Sequence, residues 1–422
     1  MSIAEKPNKG YQTIRLSFEQ TEYELFLSDK AIAKAQIDEL YSQSPELFPE
    51  GMAQGYVFYG FTQESSKQGL RCRRIQLKTE AKPVFTIAPA FVMPYMRGFT
   101  ADIEKALFLR RFGVPFWGLT YVFGHNDMFW YRTEVSLGNF SVVGTTVKEA
   151  EKLPQDLLAD EKHTWLNGKR RYLAMTVGEG CILGASMAKS ASQVDLSKAY
   201  GVFAQEAKAV KDDYSPFTVN TDGWLATQKA WLSLFPSVLV ILCFLHAFLK
   251  IRDRATKGLK EWFDPICSKV WDAYKAPTKA SFAQRLRRLR EWTEKEVPDS
   301  PMKSHTLDLC AKREQFIKSY DCEKAHRTSN MVDRLMKFID RACFNAQYFH
   351  GTDNSAEQHV RAMALLWNFC PSSPTTITKH HGQICPAERL NGKRYADNWL
   401  ENLLVSASMN GGRRGGDQQK VL

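Results

Sequence analysis

The stretch PFTVNTDGWLATQKAWLSLFPSVLVILCFLHAFLKIRDR, residues 216–254, holds the longest apolar run of the chain, with Asp222 just ahead of it. From Trp231 to Leu249 it offers about 19 mostly apolar residues, near the length that spans a bilayer as a helix. Pro236 stands inside the run, however, and Ser233, Ser237 and His246 interrupt it. A proline removes a helical hydrogen bond and clashes with the preceding turn. The run therefore divides into an amphipathic helix, GWLATQKAWLSLF, and a β-branched strand, SVLVILCF. A strand apolar on both faces belongs in the middle of a helix-covered sheet. The expectation is a buried strand rather than a membrane anchor, with Asp222 closing the strand that precedes the helix. No second candidate span is present, and the N-terminus MSIAEKPNKG lacks the basic-then-apolar order of a secretion signal.

Composition fits that reading. With 422 residues, of which 44% are hydrophobic and 12% aromatic, the chain can fill sizeable cores in about two to four domains. Its nine cysteines form no CxxC pair, which fits reduced thiols in a cytoplasmic compartment. The formal net charge is +11, and basic residues gather in blocks such as RCRR, GKRR, KIRDRATKGLK and RLRRLREW. Such blocks suit a polyanionic partner and equally a solvated surface; charge alone does not separate the two.

Residues 1–98 mix a helical pattern, DKAIAKAQIDELYSQ, with alternating stretches, LRCRRIQLKT and KPVFTIAPAFVM, and predict an N-terminal α+β region. Residues 99–148 predict helices: TADIEKALFLRRFG, closing at Gly113, then VPFWGLTYVFG and HNDMFWYRTEVSLG, with a tight turn at Gly124. Three helices with such a corner predict a helix-turn-helix-like DNA-binding segment, in which His125, Asn126, Tyr131 and Arg132 would meet a groove or its phosphates. A plain helical bundle with a glycine corner is the alternative.

From residue 149 the pattern turns α/β. LLADEKHTWLNGKRRYLAMTVGEGCILGASMA reads as three antiparallel strands turning at Asn167-Gly168 and at Gly178-Glu179-Gly180. The helix LSKAYGVFAQEAKAV, the strand PFTVNTDG, and the helix and strand described above follow. That order predicts a ribonuclease-H-like mixed sheet, in two parts at 149–251 and 326–404. Residues 252–325 are basic, show no strand pattern and predict an all-helical insertion. The segment from residue 405, SASMNGGRRGGDQQKVL onward from 406, predicts a disordered tail.

Three acidic residues stand out on this topology. Asp160 lies on the first strand of the sheet, Asp222 ends the strand expected beside it, and Asp333 lies on the helix after the insertion, RTSNMVDRLMK. Converging carboxylates raise one another's pKa unless a cation compensates. Mg²⁺ or Mn²⁺, in a pair, would do so and would stabilise the attacking and leaving oxygens of a phosphoryl displacement. Glu161 is set aside as structural, because adjacent strand residues point to opposite faces. Glu357, in NSAEQHVRAMALLWNF, is the competitor to Asp333; its i to i+4 spacing from Arg361 predicts a surface ion pair. Trp224, Trp231 and Trp367 are expected in the core, and His380 and His381 in an exposed loop.

The ordered set ADEKH at Asp160, TDGW at Asp222, CFLH at Cys243 and His246, a helical insertion and TSNMVDRLMK at Asp333 resembles DDE/DDD-type insertion-sequence transposases of Mutator-like layout. The likeness covers roughly residues 155–370. It implies Mg²⁺-dependent cleavage and joining of double-stranded DNA by Asp160, Asp222 and Asp333, on element ends and target. It also implies Cys243 and His246 near the scissile phosphate, a homo-oligomer in the active complex, no membrane, and a bacterial cytoplasm or nucleoid. Many relatives carry glutamate in an NNxxE context where this chain has SNMVD, one methylene shorter. Two other functions fit the same pattern: a transposase-derived DNA-binding regulator that does not use its catalytic residues, and another ribonuclease-H-like nuclease.

Overall fold

The computed structural model describes residues 12–94 and 96–409. The N-terminal part comprises β1 (Thr13–Leu16), α1 (Gln20–Ser28), α2 (Lys30–Gln43), β2 (Tyr56–Phe61), β3 (Arg73–Leu77) and β4 (Val84–Pro89). The strands form one sheet in the order β1-β4-β3-β2, with β1 parallel to β4 and the other pairs antiparallel. The alternating burial of β3 and β4 is what their sequences predict. β1 and α1 carry no comparable signal; Ile14, Leu16, Tyr23 and Phe26 become core only when the sheet closes over them.

Next come α3 (Thr100–Arg110), α4 (Phe116–Phe123), α5 (Asp127–Leu137) and α6 (Val142–Thr146). Gly124, at φ +74°, makes the corner between α4 and α5, and the Asn126 side chain caps α5 by accepting the Phe129 N–H at 2.8 Å.

The second sheet begins with β5 (Asp156–Leu166), β6 (Lys169–Gly178) and β7 (Cys181–Ala188), continues through α7 (Gln193–Val210), β8 (Thr218–Thr221) and α8 (Leu225–Leu234), and ends with β9 (Leu239–Leu242). Its order is β7-β6-β5-β8-β9; the β7-β6-β5 pairs are antiparallel, and β8 runs parallel to both β5 and β9. Asn167 (φ +50°) and Gly168 (φ +72°) turn β5 into β6, both left-handed as a two-residue hairpin requires. The apolar run at 231–249 is divided among α8, β9 and the next helix. No helix among the described residues is long and apolar enough to cross a membrane.

α9 (Phe244–Arg252), α10 (Lys260–Tyr274), α11 (Lys279–Glu296), α12 (Pro301–Ala311) and α13 (Arg313–Ile317) form a helical unit with its own apolar cluster, including Ile266, Val270, Phe282, Leu286 and Leu309. That cluster starts earlier than residue 252, because Leu242 and Phe244 belong to it. The chain then returns through α14 (Asn330–Asn345) and α15 (Asp353–Phe369) to α16 (Pro374–Lys379), α17 (Pro386–Asn391) and α18 (Trp399–Ser406).

The central sheet separates two cores by strict alternation. Leu157, Ala159 and Ala174 pack with α7 and α8, whereas Leu158, Leu173, Met175 and Val177 face the side that holds α14 and α15. The second of these cores also contains the N-terminal sheet, α3 and α18. Residues 1–98, 99–148 and 326–404, separate regions on paper, are therefore packed together where the structure describes them. The expected disordered tail is corrected at its start. Val405, Ser406, Ala407 and Ser408 are buried, and the Ser408 hydroxyl accepts the Arg15 N–H and donates to the Leu47 carbonyl. These short side chains fill the seam beside β1, where composition gives no hint of burial. The rest of the tail, 410–422, lies outside the described residues.

Candidate metal-binding active site

β5 is the central strand and β8 its parallel neighbour, but the two pair only from Asp156 to Leu158 against Thr218 to Asn220. Between Leu158 and Trp165, where Phe349 next pairs with the strand, the β8 side of β5 is open, and Asp160 and Glu161 stand at that opening. β8 ends at Thr221, so Asp222 follows at its tip. Carboxylate oxygens of Asp160, Glu161 and Asp222 lie within 4.8 Å of one another.

Asp160 shares the face of Leu158 and so looks toward α14. Glu161 shares the face of Ala159, toward α7 and α8, where it accepts hydrogen bonds from Tyr200 (2.7 Å) and Thr227 (2.6 Å). The opposite orientation expected of neighbouring strand residues is thus present, and so are the anchoring contacts of a structural residue. Yet Glu161 also borders the cluster, because both faces of β5 meet at the open edge. Strand alternation alone concealed that, and no local motif marks Tyr200 or Thr227.

Burial pushes the Asp160 carboxyl up to about 7, with the Asp222 charge adding to it and Asp333 contributing less. Burial likewise raises Glu161 to about 7, against the hydrogen bonds from Thr227 and Tyr200. Among the described residues no lysine or arginine forms a salt bridge with any of these carboxylates or with Asp333. An oxygen-only donor set, crowded and without a lysine or arginine partner, fits a hard divalent ion such as Mg²⁺ or Mn²⁺.

Asp333 occupies the first turn of α14 and sits one step away, in a second group of side chains. The Ser329 hydroxyl lies 3.1 Å from His246 Nδ1, 3.2 Å from Cys243 Sγ and 3.5 Å from Asp333 Oδ2. Cys243 caps α9 and also accepts the Ser329 N–H at 3.2 Å. Contact with Cys243 raises His246 to about 9 despite burial, and the charges of Asp160 and Asp333 support the shift. Burial of the Cys243 thiol is outweighed by its hydrogen bonds with His246 and Ser329, so its pKa is lowered. Two hydrogen bonds to backbone carbonyls strap the returning chain to α9 and β8: Phe244 N–H to the Arg327 carbonyl (3.0 Å), and the Asn220 side-chain Nδ2 to the His326 carbonyl (2.9 Å). Ser329 had no sequence signal beyond its place before Asn330; only this strap brings it to Cys243.

Glu357 is elsewhere. Half-buried on α15, it accepts the Met187 N–H of β7 at 2.8 Å, at the edge of the sheet away from β8. Burial raises its pKa, with Arg361 opposing. Arg361 is itself turned inward to Glu206 and to the Gly138 and Phe140 carbonyls, so the expected surface ion pair is corrected to an interior network. Of the tryptophans, Trp231 is buried as expected. Trp224 is 37% exposed beside Asp222, a correction with a simple cause: it precedes α8 and stacks only edgewise against Tyr172 and His163. Trp367 is half-buried, donating to the Gly180 carbonyl at 3.0 Å. His381 is exposed and His380 half-exposed, at the end of α16.

His125, Asn126, Tyr131 and Arg132 are brought together at the α4–α5 corner, where all four line one cleft. From Thr133 to Leu137 α5 is buried against α15, so only its first turns and Arg132 face outward. Beneath them the buried Glu134 pairs with Arg110 and with His359 Nε2 (3.0 Å). Burial would raise the Glu134 carboxyl, but the Arg110 charge and the His359 contact hold it down at about 2. No known protein-family model matches the chain, and no curated protein matches it either.

Proposed function

We propose that the chain is a DDE/DDD-type transposase with a ribonuclease-H-like catalytic core that cleaves and joins DNA. The observation that supports this most is the meeting of Asp160 and Asp222 from neighbouring parallel strands at a gap in the strand pairing, with Asp333 one side-chain group away on the helix that follows an inserted helical unit. Asp160, Asp222 and Asp333 would hold the divalent ions, and Glu161 braces the cluster from the α7 side. When bound, the ions supply water activation and neutralise charge on the reacting phosphate. Ser329 orients His246 through Nδ1, leaving Nε2 to donate toward a phosphate oxygen. The strap at 326–329 keeps Asp333 in register with the sheet. The deciding assay is nicking of DNA carrying the element's own ends. Nicking should appear with Mg²⁺ or Mn²⁺ and vanish in excess EDTA; full-rate nicking in EDTA would overturn the reading.

A further inference from the structure

The cleft at the α4–α5 corner has a volume of about 790 Å³ and lies between α5, the start of α15 and the loops at Lys67 and Arg97. That volume is in the range of small-molecule and nucleotide sites. None of the described residues lining it is acidic, whereas Lys67, Arg97 and Arg132 are basic. Its polar lining is rich in amides: Asn126, Asn139, Asn354 and Gln358. The Asn139 and Gln358 amides bond each other at 2.8 Å, which fixes their orientation and leaves the Gln358 carbonyl oxygen to accept. At the mouth, His125 stacks on Phe129 at 4.1 Å with 21° between the rings, held there by a left-handed backbone at φ +59° that non-glycine residues rarely adopt.

Guanidinium groups, paired amides and an exposed aromatic ledge are the chemistry that receives unpaired bases: phosphates on the cations, base edges on the amides, base faces on the rings. The outward-facing first turns of α5 and Arg132 line this concave cleft and do not project from the surface as a groove-filling helix would, which favours an unpaired strand over a duplex. We propose that this cleft binds an unpaired segment of nucleic acid, with a base on the His125–Phe129 ledge and phosphates at Arg97 and Arg132. The assignment rests on the chain being a nucleic-acid-processing protein, and it changes what the α4–α5 corner reads from a groove to an exposed strand.

Fluorescence anisotropy on the full-length protein in EDTA tests this without any cleavage. The probes are a labelled mixed-sequence single strand, the same sequence as a duplex, and the strand with its bases replaced by abasic sites. The intact single strand should bind about tenfold more tightly than either of the others. His125→Ala should remove most of that advantage while leaving abasic binding unchanged. Arg132→Ala should weaken intact and abasic strands alike and flatten the salt dependence. Both residues are exposed, so circular dichroism should show wild-type folding. Equal or better binding of the duplex, or wild-type affinity in both folded variants, would overturn the assignment. Single-strand binding without any Mg²⁺-dependent nicking would instead overturn the transposase reading and leave the cleft standing.

Discussion

Asp160 is the residue at which folding and the proposed chemistry pull in opposite directions. Its pKa rises from 3.8 to about 7 on burial beside Asp222, so between those values the folded chain holds a proton that the unfolded chain gives up. Stability contributed by this group is therefore lost as pH rises from about 4 to about 7. Asp160→Asn in EDTA should melt at a higher temperature than wild type at pH 8, by about 1–3 °C, and alike at pH 4. Mg²⁺ should raise the Tm of wild type at pH 8 and do much less for Asp160→Asn. An identical Mg²⁺ response in both would show that Asp160 is not a ligand. The third carboxylate is decided by a pair of variants. Asp333→Asn should abolish cleavage with folding intact, while Glu357→Gln, which keeps an acceptor for the Met187 N–H, should retain most activity. Active Asp333→Asn alongside inactive Glu357→Gln would reverse the assignment.

At the scale of elements, α5 and α15 approach so closely that side-chain volume at their crossing is forbidden. A Cβ added to Gly138 would stand 1.9 Å from the Gln358 backbone carbonyl oxygen. Backbone cannot swing aside as a side chain can, so Gly138→Ala should cost about 2–4 kcal/mol. Urea denaturation read by circular dichroism measures it, and an unchanged midpoint would mean that the two helices are not packed as described. The same crossing lets Arg361 reach the Gly138 and Phe140 carbonyls and sets Asn139 against Gln358. One glycine thus fixes both the buried wall behind α5 and the amides of the cleft in front of it.

At the scale of the molecule, the two faces of the central sheet tie the N-terminal sheet, α3 to α8, α14, α15, α17 and α18 together, whereas α9 to α13 close around their own cluster. Native-state hydrogen exchange should therefore show α9 to α13 opening as a cooperative unit at lower free energy than β5, β6 and β8. A single common opening energy for both would count against the division. Arg327 links the units, its guanidinium lying 4.5 Å from the Tyr274 ring and 4.6 Å from the Tyr320 ring, so opening of the helical unit should loosen the strap that places Asp333.

The sequence by itself determined the elements of the central sheet and their order, because hydrophobic alternation and the glycine turns act over a few residues at a time. It also singled out Asp160, Asp222 and Asp333 as candidates, from their places in the expected order of strands and helices and from the family resemblance of the motifs around them. What lay outside its reach depends on contacts between residues far apart in the chain. Strand offset decided that Glu161 borders the cluster: β5 outruns β8, and an open edge is not a property of either strand alone. The strap from His326 and Arg327 to β8 and α9 decided that Ser329 joins Cys243, His246 and Asp333. The packing of α5 on α15 decided that the α4–α5 corner forms the wall of a cleft instead of a projecting helix. Burial of residues 405–408 was settled by the space beside β1, since small side chains are indifferent to water until a neighbouring surface leaves a gap of their size.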